Sequence, residues 1–211
     1  MDPTNKERVN QFYNDGLKRF GYDIKALASG TEERRRVRFQ VLCEIGMTSG
    51  CSVLDLGCGF GDFYGYLHER GMAVQYVGYD INPNLVSVAK QVYPEAEFYV
   101  KDIQTEPFPV FDYIVSTSAF NHPLTGQDQY QFAQEILSIS YNHAQRGVAI
   151  DFLSSYVEVE NPILFNYSPE RIFTIAKKIT KRVCLRHDYP LFDFCIYLYP
   201  DFRGWGDKQN P

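Results

Sequence analysis

The sequence predicts an α/β protein: a doubly wound, mostly parallel sheet that closes on an antiparallel hairpin and is preceded by a helical cap. Three observations carry this. From residue 51 onward, short and nearly continuous apolar runs alternate with amphipathic helical stretches, the pattern of strands covered on both faces. The last two apolar runs are separated by a turn too short for a parallel crossover. The first 48 residues show helical periodicity and nothing strand-like.

Taken in order, Thr4 and Glu7 have the spacing of a capping box, each side chain serving an orphan backbone donor at a helix start. Val9, Phe12, Tyr13, Leu17 and Phe20 then fall on one helical face, and Gly21 stops the run. A second helix is expected from Thr31 to Ile45, with Val37, Val41 and Ile45 at fourfold spacing and Gly46 as its stop. Residues 1–48 therefore read as a cap and residues 49–211 as one structural unit. Strands are expected at 51–56, 73–80, 97–100, 112–116 and 147–152, with helices near 61–70, 82–93 and 128–143 between them. Asn82-Pro83 is a side-chain cap followed by proline at the first helical position, ahead of the apolar stripe Leu85, Val88, Ala89 and Val92. Ser168-Pro169-Glu170 opens a helix to about Lys178, and "RVCLRHD" and "LFDFCIYLY" form the closing hairpin around Tyr189-Pro190. His187, in register with Val183 and Leu185, is expected to be a core histidine.

At 211 residues, 45% hydrophobic and 16% aromatic, the chain can bury a sizeable core. A net charge of −5 argues against a nucleic-acid partner, which demands a clustered basic face. The one basic run, Arg34 to Arg38, reads as a solvated helix face. Five cysteines without CxxC pairing or metal-ligand spacing read as structural thiols, with no metal. With no signal peptide and no apolar run long enough for a membrane, the expectation is a cytoplasmic protein.

The stretch "VLDLGCGFGD", Val53 to Asp62, concentrates the chemistry. Its spacing is D-x-G-x-G-x-G, so the third glycine comes one place earlier than the dinucleotide fingerprint requires. A pyrophosphate seeks open amides at a helix N-terminus and tolerates no nearby carboxylate. Asp55 and Asp62 flank this loop and suit a ligand carrying an ammonium and a sulfonium instead. Asp80 ends the next strand, where a carboxylate accepts from ribose hydroxyls, and Asp102 ends the third, where one accepts from an adenine amine. These acids together point to S-adenosylmethionine.

On these residues the chain from position 51 onward resembles the class I S-adenosylmethionine-dependent methyltransferases. "VLDLGCGFG" is similar to their first motif, "YVGYDIN" to the second, "FYVKDI" to the third and "FDYIVSTSAFN" to the fourth. The resemblance implies a Rossmann-like methyltransferase fold with a seven-stranded sheet and an S-adenosylhomocysteine product. It also implies that Gly57, Cys58 and Gly59 bring backbone close to the methionine moiety. Asp80 would hold the ribose, Ile81 would pack on adenine, Asp102 and Ile103 would read its edge, and Ser116 would lie beside the methionyl part. The chain further resembles small bacterial members with a "GAFN"-type stretch after the fourth strand, where Ser118 here replaces the glycine.

For the cap, Tyr13 is expected to close over the cofactor and Arg38 to pair with its carboxylate. Beyond the fourth strand, His122 is a candidate base and Asn121 a candidate orienter, against the alternative that His122 packs in the turn before Pro123. "NHPL" echoes the N-P-P-Y tetrad of amino-group methyltransferases without its paired prolines and stacking aromatic. Phe12, Phe120 and Tyr156 are candidate acceptor contacts. The spare elements are the cap and the loops 121–128 and 154–167, aromatic and without a basic patch. They suit methyl transfer to a small-molecule acceptor, at nitrogen or oxygen. Methylation of a protein or RNA, a non-catalytic methyltransferase-like subunit and a nicotinamide oxidoreductase are the alternatives.

Overall fold

Asp2, rather than Thr4, starts the first helix. The computed structural model, which describes residues 1–158 and 161–201, runs α1 from Pro3 to Phe20. The Asp2 carboxylate accepts from the Asn5 N–H at 3.0 Å, and Pro3 fills the first helical position. Thr4 and Glu7 are exposed, so the capping-box expectation is corrected by two residues. Gly21 ends α1 at φ 65°. A 3-10 turn at Ile24–Leu27 then folds back along it. A Cβ on Gly16 would stand 2.4 Å from the Ala26 carbonyl oxygen, which is how closely the two segments approach.

Helix α2 (Glu32–Cys43), capped by Thr31, leaves the cap region and packs on the sheet. Its Phe39, Val41 and Leu42 join one core cluster with Phe63, Leu67, Val53 and Val115. The sheet is built from β1 (Ser52–Leu56), β2 (Gln75–Asp80), β3 (Glu97–Val100), β4 (Phe111–Ser116), β5 (Ala144–Leu153), β6 (Arg182–Arg186) and β7 (Asp193–Tyr199). Spatially the order is β3-β2-β1-β4-β5-β7-β6, with β7 antiparallel to both its neighbours and the other pairs parallel. The seven-stranded sheet with its antiparallel hairpin is therefore as expected.

Helices α3 (Asp62–Glu69), α4 (Pro83–Val92), α5 (Gln129–Asn142) and α6 (Pro169–Ile179) flank it. Alternation along each strand divides the core between the two faces. Val53 faces the cluster containing Phe39 and Phe63, while its neighbour Leu54 faces Phe132, Leu137, Ile172 and Phe194. Each of these fully buried side chains contributes on the order of 1.5–3 kcal/mol.

Two polar expectations change. The run Arg34–Arg38 is not uniformly solvated: Arg35 pairs with Asp62 and Glu32, and Arg38 is buried against Asp193. Asp62 opens α3 and Asp193 opens β7, both facing α2, so charge pairing draws these two arginines inward. His187 lies beyond the end of β6 and is exposed, because the strand stops at Arg186 before the side-chain alternation can carry it into the core. No helix among the described residues is long and apolar enough to cross a membrane. Residues 159–160 of the 154–167 loop, and the last ten residues of the 49–211 unit, lie outside the described residues.

Candidate active site

Strand order reverses at β1, whose neighbours β2 and β4 leave to opposite sides, and a crevice opens there at the carboxyl ends of the strands. The turn after β1 is tied down first. The N–H groups of Gly57 and Cys58 both donate to the Tyr79 carbonyl, at 2.7 and 3.1 Å. Gly57, Gly59 and Gly61 all adopt positive φ, which side chains resist. At Gly57 the approach matters as well, since a Cβ there would meet the Ala119 Cβ at 2.4 Å. The Cys58 side chain turns away and packs against Gly78 of β2.

Asp80, at the end of β2, accepts from Gly59 N–H at 3.0 Å through Oδ2 and from Asn82 N–H at 2.8 Å through Oδ1. Each oxygen keeps a second lone pair for a ligand hydroxyl. Burial raises its pKa against these stabilising amides. Asp55 is buried too, and burial pushes its carboxyl up to about 7 despite the Tyr76 hydroxyl donating to Oδ2 at 2.7 Å. Its Oδ1 has no hydrogen-bond partner. A buried, unpaired carboxylate oxygen on a cleft wall is built to receive a donor. Asp102 lies against α1, its Oδ2 3.3 Å from Lys6 Nζ, while Oδ1 accepts from Gln104 N–H.

The cleft spans about 1180 Å³ of space, counting the part open to solvent. Of the expected residues, Asp55, Gly57, Cys58, Gly59, Asp80, Ile81, Asp102, Ile103, Tyr13, Arg38 and Phe120 line it together. Ser116 does not. It is fully buried, and its hydroxyl donates to the Leu56 carbonyl at 2.6 Å, linking β4 to β1 rather than facing a methionyl group. Arg38 reaches the cleft, but its guanidinium is occupied by Asp193 at 3.1 Å and by the Ser29 carbonyl at 3.0 Å. The expectation that it waits for a cofactor carboxylate is corrected accordingly.

The expected catalytic pair also moves. Asn121 is buried and bridges two loops: its Oδ1 accepts from Leu153 N–H at 3.1 Å and its carbonyl from Phe165 N–H at 2.6 Å. His122 packs beneath α1, 4.7 Å from the Phe12 ring and 3.1 Å from the Tyr13 hydroxyl. Burial, with Arg8 nearby, lowers its pKa to about 4. His122 thus packs against α1 and does not line the cleft. Phe12 packs on that histidine. Tyr156 is 62% exposed and donates to Glu170, also away from the cleft.

Sequence reasoning missed Thr117 and Asp151, and saw one of the two tasks of Asn82. Thr117 and Ser118 line the cleft just past β4 and lean on Asp151 of β5. Ser118 has φ 57°, the conformation glycine would favour, which its replacement of an expected glycine had signalled. Asn82 was visible as a cap. Its second task, donating from Nδ2 to the Asn10 carbonyl and to Asn14 Oδ1 on α1, had no local signal.

A doubly wound sheet with a glycine turn and strand-end carboxylates at its switch point defines a nucleotide-binding enzyme domain. The chain matches the methyltransferase domain family over residues 53–140. It is 31% identical over 154 residues to the protein named "Putative methyltransferase Rv1506c" of Mycobacterium tuberculosis, covering 69% of this chain and 90% of that protein. Trans-aconitate 2-methyltransferase of Escherichia coli is 27% identical over 117 residues, which span 55% of this chain and 45% of that enzyme. Among solved structures, a TehB-like S-adenosylmethionine-dependent methyltransferase from Corynebacterium glutamicum aligns with a TM-score of 0.55 at 19% identity, over 94% of this chain and all of that one. The chain belongs to the class I S-adenosylmethionine-dependent methyltransferases. Its cleft fits that cofactor: a glycine cradle with no room for Cβ, an unpaired buried Asp55 oxygen for an ammonium, and a backbone-held Asp80 for a ribose.

Proposed function

We propose that the protein transfers a methyl group to a small-molecule acceptor, at nitrogen or oxygen. The enclosure of the cleft supports this reading. Val9, Asn10 and Tyr13 of α1, Leu27 and Ser29 of the following turn, and Arg35, Arg38 and Phe39 of α2 all close around the strand ends. An acceptor must enter beneath this cover, which suits a compact molecule. The name of the Escherichia coli relative, a trans-aconitate methyltransferase, is in keeping with a small acceptor.

S-adenosylmethionine, when bound, supplies an electrophilic methyl group on a sulfonium. The chain's own residues bind, orient and exclude water. Asp80 would hold the ribose, Ile81 would pack on adenine, Asp102 and Ile103 would read its edge, and Asp55 with the Gly57–Gly59 backbone would hold the amino-acid end. Alignment under a closed helix removes solvent reorganisation, a contribution that reaches about 7–11 kcal/mol in well-oriented systems.

The test is transfer of a radiolabelled methyl group in extracts supplemented with the protein and labelled S-adenosylmethionine. Protein-dependent label should appear in the low-mass filtrate. Label confined to precipitated protein or RNA would replace this reading with a macromolecular acceptor.

A further inference from the structure

Behind the cleft wall stands a charged cluster that cofactor binding leaves unused. Asp151 accepts from Thr117 Oγ1 at 2.5 Å and from Ser118 N–H at 2.6 Å. Asp193, which opens β7, meets Arg38 Nε at 3.1 Å through Oδ2. Its Oδ1, like the Tyr189 hydroxyl in the same cluster, is buried without a hydrogen-bond partner. Both carboxylates are 2% exposed.

The charges do not balance. Two carboxylates face one buried guanidinium, leaving about one negative charge in a region where unpaired charge is costly. The other groups around them do not cancel it. Asp55 on β1 and Cys195 on β7 face Asp151, and neither is cationic. Arg34 and His187 reach Asp193 from exposed positions, where water screens them. Burial and the Asp193 charge hold the Asp151 carboxyl above the usual carboxylate range. Of this cluster Thr117, Ser118 and Arg38 line the cleft. The Arg38 guanidinium is taken up by Asp193 and the Ser29 carbonyl, whereas the Thr117 hydroxyl gives its hydrogen to Asp151 and keeps its lone pairs for a donor.

We propose, building on the small-molecule reading above, that the acceptor is an amine, bound as its ammonium at Thr117 and deprotonated through that hydroxyl by Asp151. The ammonium proton passes to Thr117 Oγ1 as the Thr117 proton passes to Asp151 Oδ2. The freed nitrogen lone pair forms the new N–CH3 bond while the C–S bonding pair stays on sulfur. The product leaves as a methylated ammonium and Asp151 as a neutral acid, so charge is conserved. Thr117 touches the acceptor; Asp151 acts through it as a positioning residue. A carboxylate acceptor would instead meet the negative cluster and have no proton to give.

The experiment needs no knowledge of the acceptor. Sinefungin carries an amine where S-adenosylmethionine carries the transferred methyl, so it reports on a cation at that point, and S-adenosylhomocysteine carries nothing there. Calorimetry at pH 8 should find sinefungin bound about tenfold or more tighter than S-adenosylhomocysteine by the wild-type protein. Asp151→Asn and Thr117→Val should bring the two affinities close to parity, while Thr117→Ser keeps the preference. As pH falls and Asp151 takes a proton, the wild-type preference should shrink. If Asp151→Asn does not fold, the Thr117 pair decides. Equal wild-type affinities, or a preference that survives Thr117→Val, would overturn the amine assignment. Failure of S-adenosylhomocysteine to bind the wild-type protein at all would instead remove the reading on which it rests.

Discussion

Gly57 and Ala119 pack closely on the cleft wall: a Cβ at position 57 would fall 2.4 Å from that of Ala119. The loop after β4 thus rests directly on the glycine turn after β1, and the two define one wall. Gly57 also holds φ 71°, where an L side chain costs on the order of 1–2 kcal/mol. Gly57→Ala should therefore lower the melting temperature by several degrees and weaken S-adenosylhomocysteine binding about tenfold or more. Unchanged affinity by calorimetry would show that this contact does not shape the site.

Asn82 joins the cap to the sheet. Its Oδ1 accepts from Asn84 and Leu85 at the start of α4, and its Nδ2 donates to Asn10 and Asn14 of α1. Asn82→Asp retains the helix cap and loses the donor. We expect near-wild-type thermal stability but faster hydrogen exchange in α1, with cofactor-product affinity reduced about threefold to tenfold. Exchange in α1 identical to wild type would mean that other contacts hold the helix.

His122 gives a prediction opposite to that of a catalytic base. It packs on Phe12 and meets the Tyr13 hydroxyl at 3.1 Å. With its pKa lowered to about 4, the folded protein keeps it neutral where the unfolded chain would bind a proton. Its contribution to stability is present above about pH 6.5 and is lost as pH falls toward 4. His122→Ala should loosen α1 and weaken S-adenosylhomocysteine binding, and His122→Phe should restore much of both. A variant with wild-type binding but abolished turnover would return His122 to the role of base.

Asp55 has the reverse pH sign. Its folded pKa of about 7 lies above the ordinary carboxylate value, so between about pH 4 and 7 the native state holds a proton the unfolded chain has released. Stability falls as pH rises through that window and levels off above it, by an amount on the order of 4 kcal/mol. Asp80 and Asp151 are raised too and push in the same direction. Asp55→Asn should flatten the wild-type fall in denaturant midpoint between pH 5 and 8. An unaltered slope would show that Asp55 is not the group responsible.

Much of this architecture is legible in sequence because it rests on local rules. Apolar alternation placed the strands, Asn82-Pro83 and Ser168-Pro169 marked two helix starts, and the short Tyr189-Pro190 turn set the hairpin's direction. The glycine turn, Asp80 and Asp102 each sit at a strand end and line the cleft together, which the sequence made readable, whereas Ser116 turns away from it. The acceptor side was not. Whether His122 faces the cleft or the underside of α1 depends on how a helix more than a hundred residues earlier docks, and Asn121 is claimed by β5 and the following loop. Arg38 looked available because its partner, Asp193, stands 155 residues away. Asp151 sat in an apolar strand with no motif around it, and its meaning came from Thr117 and Ser118 beside it.

The account depends most on the Asp80 carboxylate, held by Gly59 and Asn82 at the switch point of the sheet. Calorimetric titration of S-adenosylhomocysteine into the wild-type protein and into Asp80→Ala, with circular dichroism to establish that the variant is folded, tests it directly. We predict saturable one-site binding by the wild-type protein and a loss of about tenfold or more in the variant, as removal of a charged hydrogen-bonding group implies. Equal affinity in a folded Asp80→Ala protein, or saturable binding of NAD in place of S-adenosylhomocysteine, would contradict the account.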